Sequence, residues 1–133
     1  MRVVGCFLEF EGKFVILHRR SHKPDGNTWG LPSGKVESNE TDLEAVIREL
    51  QEETGYKADA SELSLIGEFD FVTSRGEPST YVPFRLTLKT PHSVRLEEEA
   101  HSDSRWVTPE ECDAMPDLIP GLHLLLRKTG HLN

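Results

Sequence analysis

A chain of 133 residues makes one expected domain, 1–133, large enough to bury a core without disulfide or metal staples. Its net charge of −8 argues against a protein that grips duplex nucleic acid, which needs a basic face. No apolar run approaches the roughly 18 residues of a membrane span.

In chain order, Arg2 to Phe10 and Lys13 to Arg19 read as a hairpin across Glu11-Gly12, and Met1 to Leu8 reads as buried strand rather than signal peptide. Ser21 to Thr28 is a turn-rich loop. Thr41, followed three residues later by Glu44, is a capping box that starts a helix near Asp42, and Gly55 is its left-handed stop. Leu43, Val46, Ile47, Leu50 and Thr54 give that helix one apolar stripe. Leu63 to Thr73 and Thr80 to Thr90 read as strands joined by a hairpin loop at Ser74 to Pro78. Arg95 to Ser104 reads as a charged loop and Arg105-Trp106-Val107 as a short strand. Thr108-Pro109-Glu110-Glu111 is a second capping box, with proline at the first helical position. Asp117 to Pro120 is a break, and Gly121 to Lys128 is the last helix, ended by Gly130. The order predicts an α/β fold, an α/β/α sandwich around a mixed β-sheet, with the first and last helices on opposite faces.

Cys6 and Cys112 have neither CxxC nor zinc spacing and read as free buried thiols in a reducing, cytoplasmic setting. His18 and His22 straddle a strand end, which argues against a zinc pair. Gly30 to Lys35 is superficially a phosphate-binding loop, but the glycine spacing is one short and Val36 stands where Ser or Thr must be.

The second face of the central helix carries the chemistry. Glu49, Glu52 and Glu53 stand at i, i+3 and i+4, where Cβ atoms are about 5–6 Å apart. Three carboxylates so close repel one another, and a hard divalent cation, Mg²⁺ or Mn²⁺, converts that repulsion into binding. Glu40 precedes the helix and can join from the loop. Arg48 lies one turn before Glu52 and can hold a carboxylate with its rigid fork. The competing reading is a solvated acidic face, with Arg48–Glu52 a surface pair worth about 0.2–0.5 kcal/mol.

From Gly34 to Tyr56 the chain reads GKVESNETDLEAVIRELQEETGY, or G-x5-E-x7-R-E-(apolar)-x-E-E-x-G-(bulky). This resembles the signature box of the Nudix hydrolases, the MutT-like family that cleaves nucleoside diphosphates linked to another group. Trp29-Gly30-Leu31-Pro32-Ser33-Gly34 looks like the family's W-x-x-P-G-G lead-in, with Ser33 where glycine is usual. If that position needs positive φ, serine costs more than glycine. Tyr56 stands where an aliphatic residue is usual.

The resemblance implies metal-dependent attack of water on a diphosphate, with the cation held by Glu49, Glu52, Glu53 and the Gly34 carbonyl. Arg48 supports the catalytic set. The base is the glutamate matching Glu49 or, as runner-up, one in the later loop Glu97-Glu98-Glu99, with Glu98 at its centre. Arg19 and Arg20 suit phosphate oxygens through the guanidinium fork, and alternation along the strand lets only one point inward. Asp117 falls where triphosphate-cleaving members read the base edge; its alternative role is turn chemistry and capping of the last helix. The expected substrate is a small-molecule nucleotide, foremost a canonical or damaged nucleoside triphosphate cleaved to monophosphate and pyrophosphate. Rivals are a nucleotide sugar, ADP-ribose or a dinucleoside polyphosphate. A non-catalytic nucleotide sensor and a protein-interaction domain are the alternatives from other classes. The sequence leaves the oligomeric state open.

Overall fold

The alternation of buried side chains in the first two strands sets the layers. In β1 (Arg2–Phe10), Val4, Cys6 and Leu8 join one core and Phe7 the other. In β2 (Lys13–Arg19), Val15 and Leu17 side with the first group, Phe14 and Ile16 with the second. The two strands pair antiparallel at Glu9↔Phe14 and Phe10↔Lys13. Their turn has positive φ at Glu11 (49°) and Gly12 (81°), the backbone of a tight two-residue hairpin.

The computed structural model describes residues 1–133. After β2 come β3 (Trp29–Gly30), β4 (Ser33–Lys35), α1 (Asp42–Thr54), β5 (Ser64–Leu65), β6 (Phe69–Val72), β7 (Pro78–Thr87), β8 (His101–Val107), α2 (Pro109–Asp113) and α3 (Leu122–Lys128). The sheet is mixed: β1 runs parallel to β7, every other pairing between two strands is antiparallel, and Trp29 adds an isolated parallel bridge to Leu118. On one face, Ala45, Val46 and Leu50 of α1 pack against Val4, Leu8, Leu17, Val82 and Leu86. On the other, Leu122 and Leu126 of α3 close over Phe7, Phe14, Ile16, Val107 and Cys112. Each fully buried Val, Leu, Ile or Phe among them contributes about 1.5–3 kcal/mol of transfer free energy. The result is the expected α/β/α sandwich. No helix is long and apolar enough to cross a membrane. Both cysteines are free and buried.

Several boundaries differ from the sequence reading. The strand expected over Leu63 to Thr73 divides into β5 and β6, which pair with different stretches of β7. β8 begins at His101, inside the expected charged loop, because pairing with β2 outweighs the polar composition of its first residues. β3 and β4 are too short to show a period, and tertiary pairing alone makes them. Asp117 to Pro120 is not a free break: Trp29 N–H donates to Asp117 C=O (2.9 Å) and Ile119 N–H to Trp29 C=O (2.8 Å). Asp117 does not cap the last helix either; Gly121, at φ 92°, occupies the cap position without a side-chain bond.

Candidate active site

Both ends of α1 form as the residues demand. The Thr41 hydroxyl accepts from Glu44 N–H (3.1 Å), and the Glu44 carboxylate accepts from Thr41 N–H (2.9 Å). Gly55 closes the helix at φ 75°. The register of β4 on β1, Val4↔Gly34 and Gly5↔Ser33, sets Ser33 and Gly34 beside the helix.

Arg48 organises the upper half of the site. Its Nε and Nη2 form a fork on Glu40 (2.7 and 2.9 Å), and its Nη1 donates to Glu49 Oε1 (2.7 Å). Nη2 also donates to the Lys35 carbonyl (3.1 Å). Glu52, the partner expected from helix spacing, is 3.5 Å from Nη1, so the fork is spent on Glu40 instead. The Arg48 hydrogen bonds pull the Glu40 carboxyl down to about 2.

Glu49 and Glu53 are buried, at 9% and 7% exposure, whereas the Glu52 side chain is half-exposed. A Cβ on Gly34 would collide with the Glu49 carboxylate, so glycine is required there for close approach rather than for φ. Ser33 does not have a positive φ, so serine costs no backbone strain. Burial pushes the Glu49 carboxyl up; Arg48 opposes this, while Glu52 and Glu97 add to it. Burial raises Glu53 further, followed by the charge of Glu49. The single hydrogen bond to the Glu53 carboxylate comes from Ser33 N–H (2.8 Å). A carboxylate offers about four lone-pair sites, so Glu53 keeps most of its acceptor capacity open.

The remaining candidates separate. Glu97 is partly buried, and its charge reaches both Glu49 and Glu53. Glu98 is exposed and contributes its backbone carbonyl, which accepts from Arg20 Nε. Glu99 is exposed and paired with Lys23 Nζ (2.7 Å) and His22 (3.4 Å). Arg19 turns toward the site: its charge lowers the Glu53 carboxyl, and its Nε is steadied by the Pro24 carbonyl (2.8 Å). Arg20 turns away toward the loop, as strand alternation requires. Asp117 is exposed, outside the cavity described next.

That cavity, about 400 Å³, runs from Gly34 and Arg19 past Tyr81 and Phe69 to Ile119 and Leu125. His101 lines it too, 3% exposed, its Nδ1 lacking any hydrogen-bond partner. Burial, then the charge of Arg19, pushes its imidazole down to about 4, so it is neutral near pH 7. Sequence reasoning missed it because it sits in a charged stretch with no motif around it. No three His, Cys, Asp or Glu side chains converge as a ready-made cage. The donor set nevertheless fits a hard cation, being all oxygen, buried in part and under-bonded at Glu53. Glu49, Glu52 and Glu53 could hold one.

The NUDIX domain model matches residues 1–127. The chain belongs to the Nudix family. It is similar to CTP pyrophosphohydrolase of Escherichia coli K12, 26% identical over 116 residues, covering 87% of this chain and 82% of that protein. It is 36% identical over 88 residues to the asymmetrical bis(5'-nucleosyl)-tetraphosphatase of mouse, across 62% of this chain and 57% of the relative. The fold matches the crystal structure of a MutT Nudix hydrolase from Burkholderia pseudomallei, with TM-score 0.81 at 22% identity over 96% of this chain and 95% of that one. The chain is a Nudix pyrophosphohydrolase, acting on phosphoric anhydride bonds of nucleotide-linked substrates.

Proposed function

We propose that this Nudix hydrolase converts a nucleoside triphosphate, canonical or damaged, to a monophosphate and pyrophosphate. The observation that carries the reading is the placement of two buried carboxylates, Glu49 against Gly34 and Glu53 on the Ser33 N–H, where Ser33 and Gly34 line a cavity of about 400 Å³. Small-molecule pockets span roughly 300–1,000 Å³, so this one suits a single nucleotide better than a dinucleoside polyphosphate. The similarity to a CTP pyrophosphohydrolase points the same way.

A divalent cation, Mg²⁺ or Mn²⁺, held by Glu49, Glu52, Glu53 and the Gly34 carbonyl, would supply charge neutralisation on the phosphates and acidify water. The chain's own residues do the rest. Arg48 donates to Oε1 of Glu49, which fixes the carboxylate and leaves Oε2 as proton acceptor. Water attacks the α- or the β-phosphorus, its proton passes to Glu49, that phosphorus loses its bond to the oxygen bridging α and β, and monophosphate and pyrophosphate separate. Burial raises the Glu49 carboxyl above its ordinary value, the direction that makes a carboxylate a stronger base. Glu97 is the loop glutamate placed to substitute. Arg19 binds phosphate oxygens at the cavity wall.

The test is turnover of a panel of nucleoside triphosphates, nucleotide sugars, ADP-ribose and dinucleoside polyphosphates with Mg²⁺ or Mn²⁺ in ¹⁸O water. The expected products are a monophosphate and pyrophosphate, and the product that carries the label identifies the phosphorus attacked. Release of orthophosphate in place of pyrophosphate, or preference for a two-nucleoside substrate, overturns the assignment. Tight nucleotide binding without turnover identifies a sensor.

A further inference from the structure

The serine that departs from the family's glycine is tied into a hydroxyl bridge. Ser33 Oγ donates to the Leu31 carbonyl (3.0 Å) and lies 2.7 Å from Tyr81 Oη. A hydroxyl has one hydrogen and two acceptor lone pairs, and that of Ser33 is committed to Leu31. With the serine hydrogen on the Leu31 carbonyl, Tyr81 O–H donates to Ser33 Oγ. The bridge crosses three strands, Tyr81 on β7, Gly5 on β1 and Ser33 on β4, in registers Val3↔Tyr81 and Gly5↔Ser33. Gly5 makes it possible, because a Cβ there would lie 2.7 Å from Ser33 Oγ and overlap the Tyr81 hydroxyl. Phe71 packs edge-on against the Tyr81 ring, with centroids 6.4 Å apart.

The other side of Ser33 faces the carboxylates. Its N–H makes the only hydrogen bond that Glu53 accepts, and its neighbour Gly34 abuts Glu49. The position of β4 thus sets two acidic side chains at once, and the bridge sets the position of β4. We propose that the Tyr81–Ser33 hydroxyl pair is a positioning device for Glu53, fixing the Ser33 N–H and hence the carboxylate that would hold the cation. Neither residue belongs to the box, and the signal in the sequence is only the unexpected serine. The inference rests on the metal role assigned to Glu53 above.

The test is calorimetric binding of Mn²⁺ alone to Tyr81→Phe, Ser33→Ala and the double variant, each with a melting curve. Tyr81→Phe keeps the ring and removes the donor. Loss of one neutral hydrogen bond predicts Mn²⁺ affinity weakened roughly two- to tenfold, with kcat recovering at saturating Mn²⁺. Because the two hydroxyls act through each other, the double variant should be no weaker than Ser33→Ala. Leu126→Ala, in the opposite core layer, should lower the melting temperature and leave Mn²⁺ affinity alone. Wild-type affinity in Tyr81→Phe, effects of the two variants that multiply, or equal weakening by Leu126→Ala would each overturn the positioning role while leaving the metal reading intact. A wild-type protein that binds no Mn²⁺ overturns the metal reading, and this proposal with it.

Discussion

Two of the clusters that combine carboxylates with arginine shift their buried or part-buried carboxyl groups in opposite directions. At the C-terminal end, Glu9 accepts from His131 Nε2 (2.6 Å), and Arg85 Nε stands 3.1 Å from its other oxygen. Burial pushes Glu9 up, but His131 and Arg85 outweigh it, and the carboxyl ends below its ordinary value. His131 is also stacked on Phe7, with centroids 3.9 Å apart, which seals the tail onto the core. In the α1 cluster one guanidinium, Arg48, faces Glu40, Glu49 and Glu52, with Glu53 beyond its reach, and Glu49 and Glu53 end above their ordinary values. Partners outnumber the carboxylate in the first case; carboxylates outnumber the partner in the second. The first cluster stabilises the fold. The second holds charge the fold itself disfavours, which is the mark of a site built for something else.

The sharpest way to break that contrast is to neutralise one carboxylate from each cluster. Glu53→Gln should cut turnover roughly a hundredfold or more, since cation charge stabilisation is worth several kcal/mol. It should also hold or raise the melting temperature near neutral pH, because a buried charge is removed. Glu9→Gln should do the reverse, keeping activity and costing about 1–3 kcal/mol in urea unfolding, because the amide keeps one acceptor oxygen but removes the charge facing Arg85 and His131. A Glu53→Gln protein that melts well below wild type would erase the distinction.

Next in size is the identity of the base. Glu49→Gln should lower kcat at saturating metal on the order of a hundredfold or more, the usual contribution of a positioned base. Glu97→Gln should have a smaller effect, and Glu98→Gln none, since that side chain is exposed and only its carbonyl is used. A larger loss at Glu97 than at Glu49, measured across a metal titration, would move the base to the loop.

The two clusters were not equally legible in the sequence. The α1 site is local: Thr41 with Glu44, Gly55, and the Glu49, Glu52 and Glu53 spacing all act within one helix, so short-range patterns carry it. Arg48 shows the limit, since its true partner Glu40 lies in the preceding loop, where helix spacing says nothing. The Glu9–Arg85–His131 cluster joins residues 122 apart along the chain and left no trace. The same holds for Tyr81 over Gly5 and for His101 in the cavity wall, each placed by strand register. Layers and long strands were readable because burial imposes a period of two, while β3 and β4 exist only by pairing.

A titration sharpens the same contrast through its sign. Glu9 has a folded pKa below its ordinary 4.5, so its contribution is present above that value and is lost as pH falls. Glu53 has a folded pKa well above 4.5, so its contribution is present below that value and is lost as pH rises through the folded pKa. The stability difference between wild type and Glu9→Gln should therefore shrink in acid. That between wild type and Glu53→Gln should turn against wild type toward neutrality. Parallel slopes for the two variants in urea unfolding would show that the clusters are not opposed.

The smallest expected effect is at Asp117. Its place in the chain suggested base recognition or a helix cap; in the structure its side chain is exposed, lies off the cavity, and leaves the cap position to Gly121. What the residue supplies is its carbonyl, which accepts from Trp29 N–H (2.9 Å) and is untouched by a side-chain change. Asp117→Ala should therefore shift stability by no more than about 0.5 kcal/mol. It should leave kcat/KM for four nucleoside triphosphates in unchanged proportion. The far end of the cavity is lined by apolar Ile119, Pro120 and Leu125, with neutral His101 a polar wall group. Asp117→Ala that reorders the four substrates would show that the carboxylate swings into the cavity when a nucleotide is bound. Asp117→Ala that leaves the order intact, beside a His101→Phe that changes it, would put base selection in the wall the sequence did not reveal.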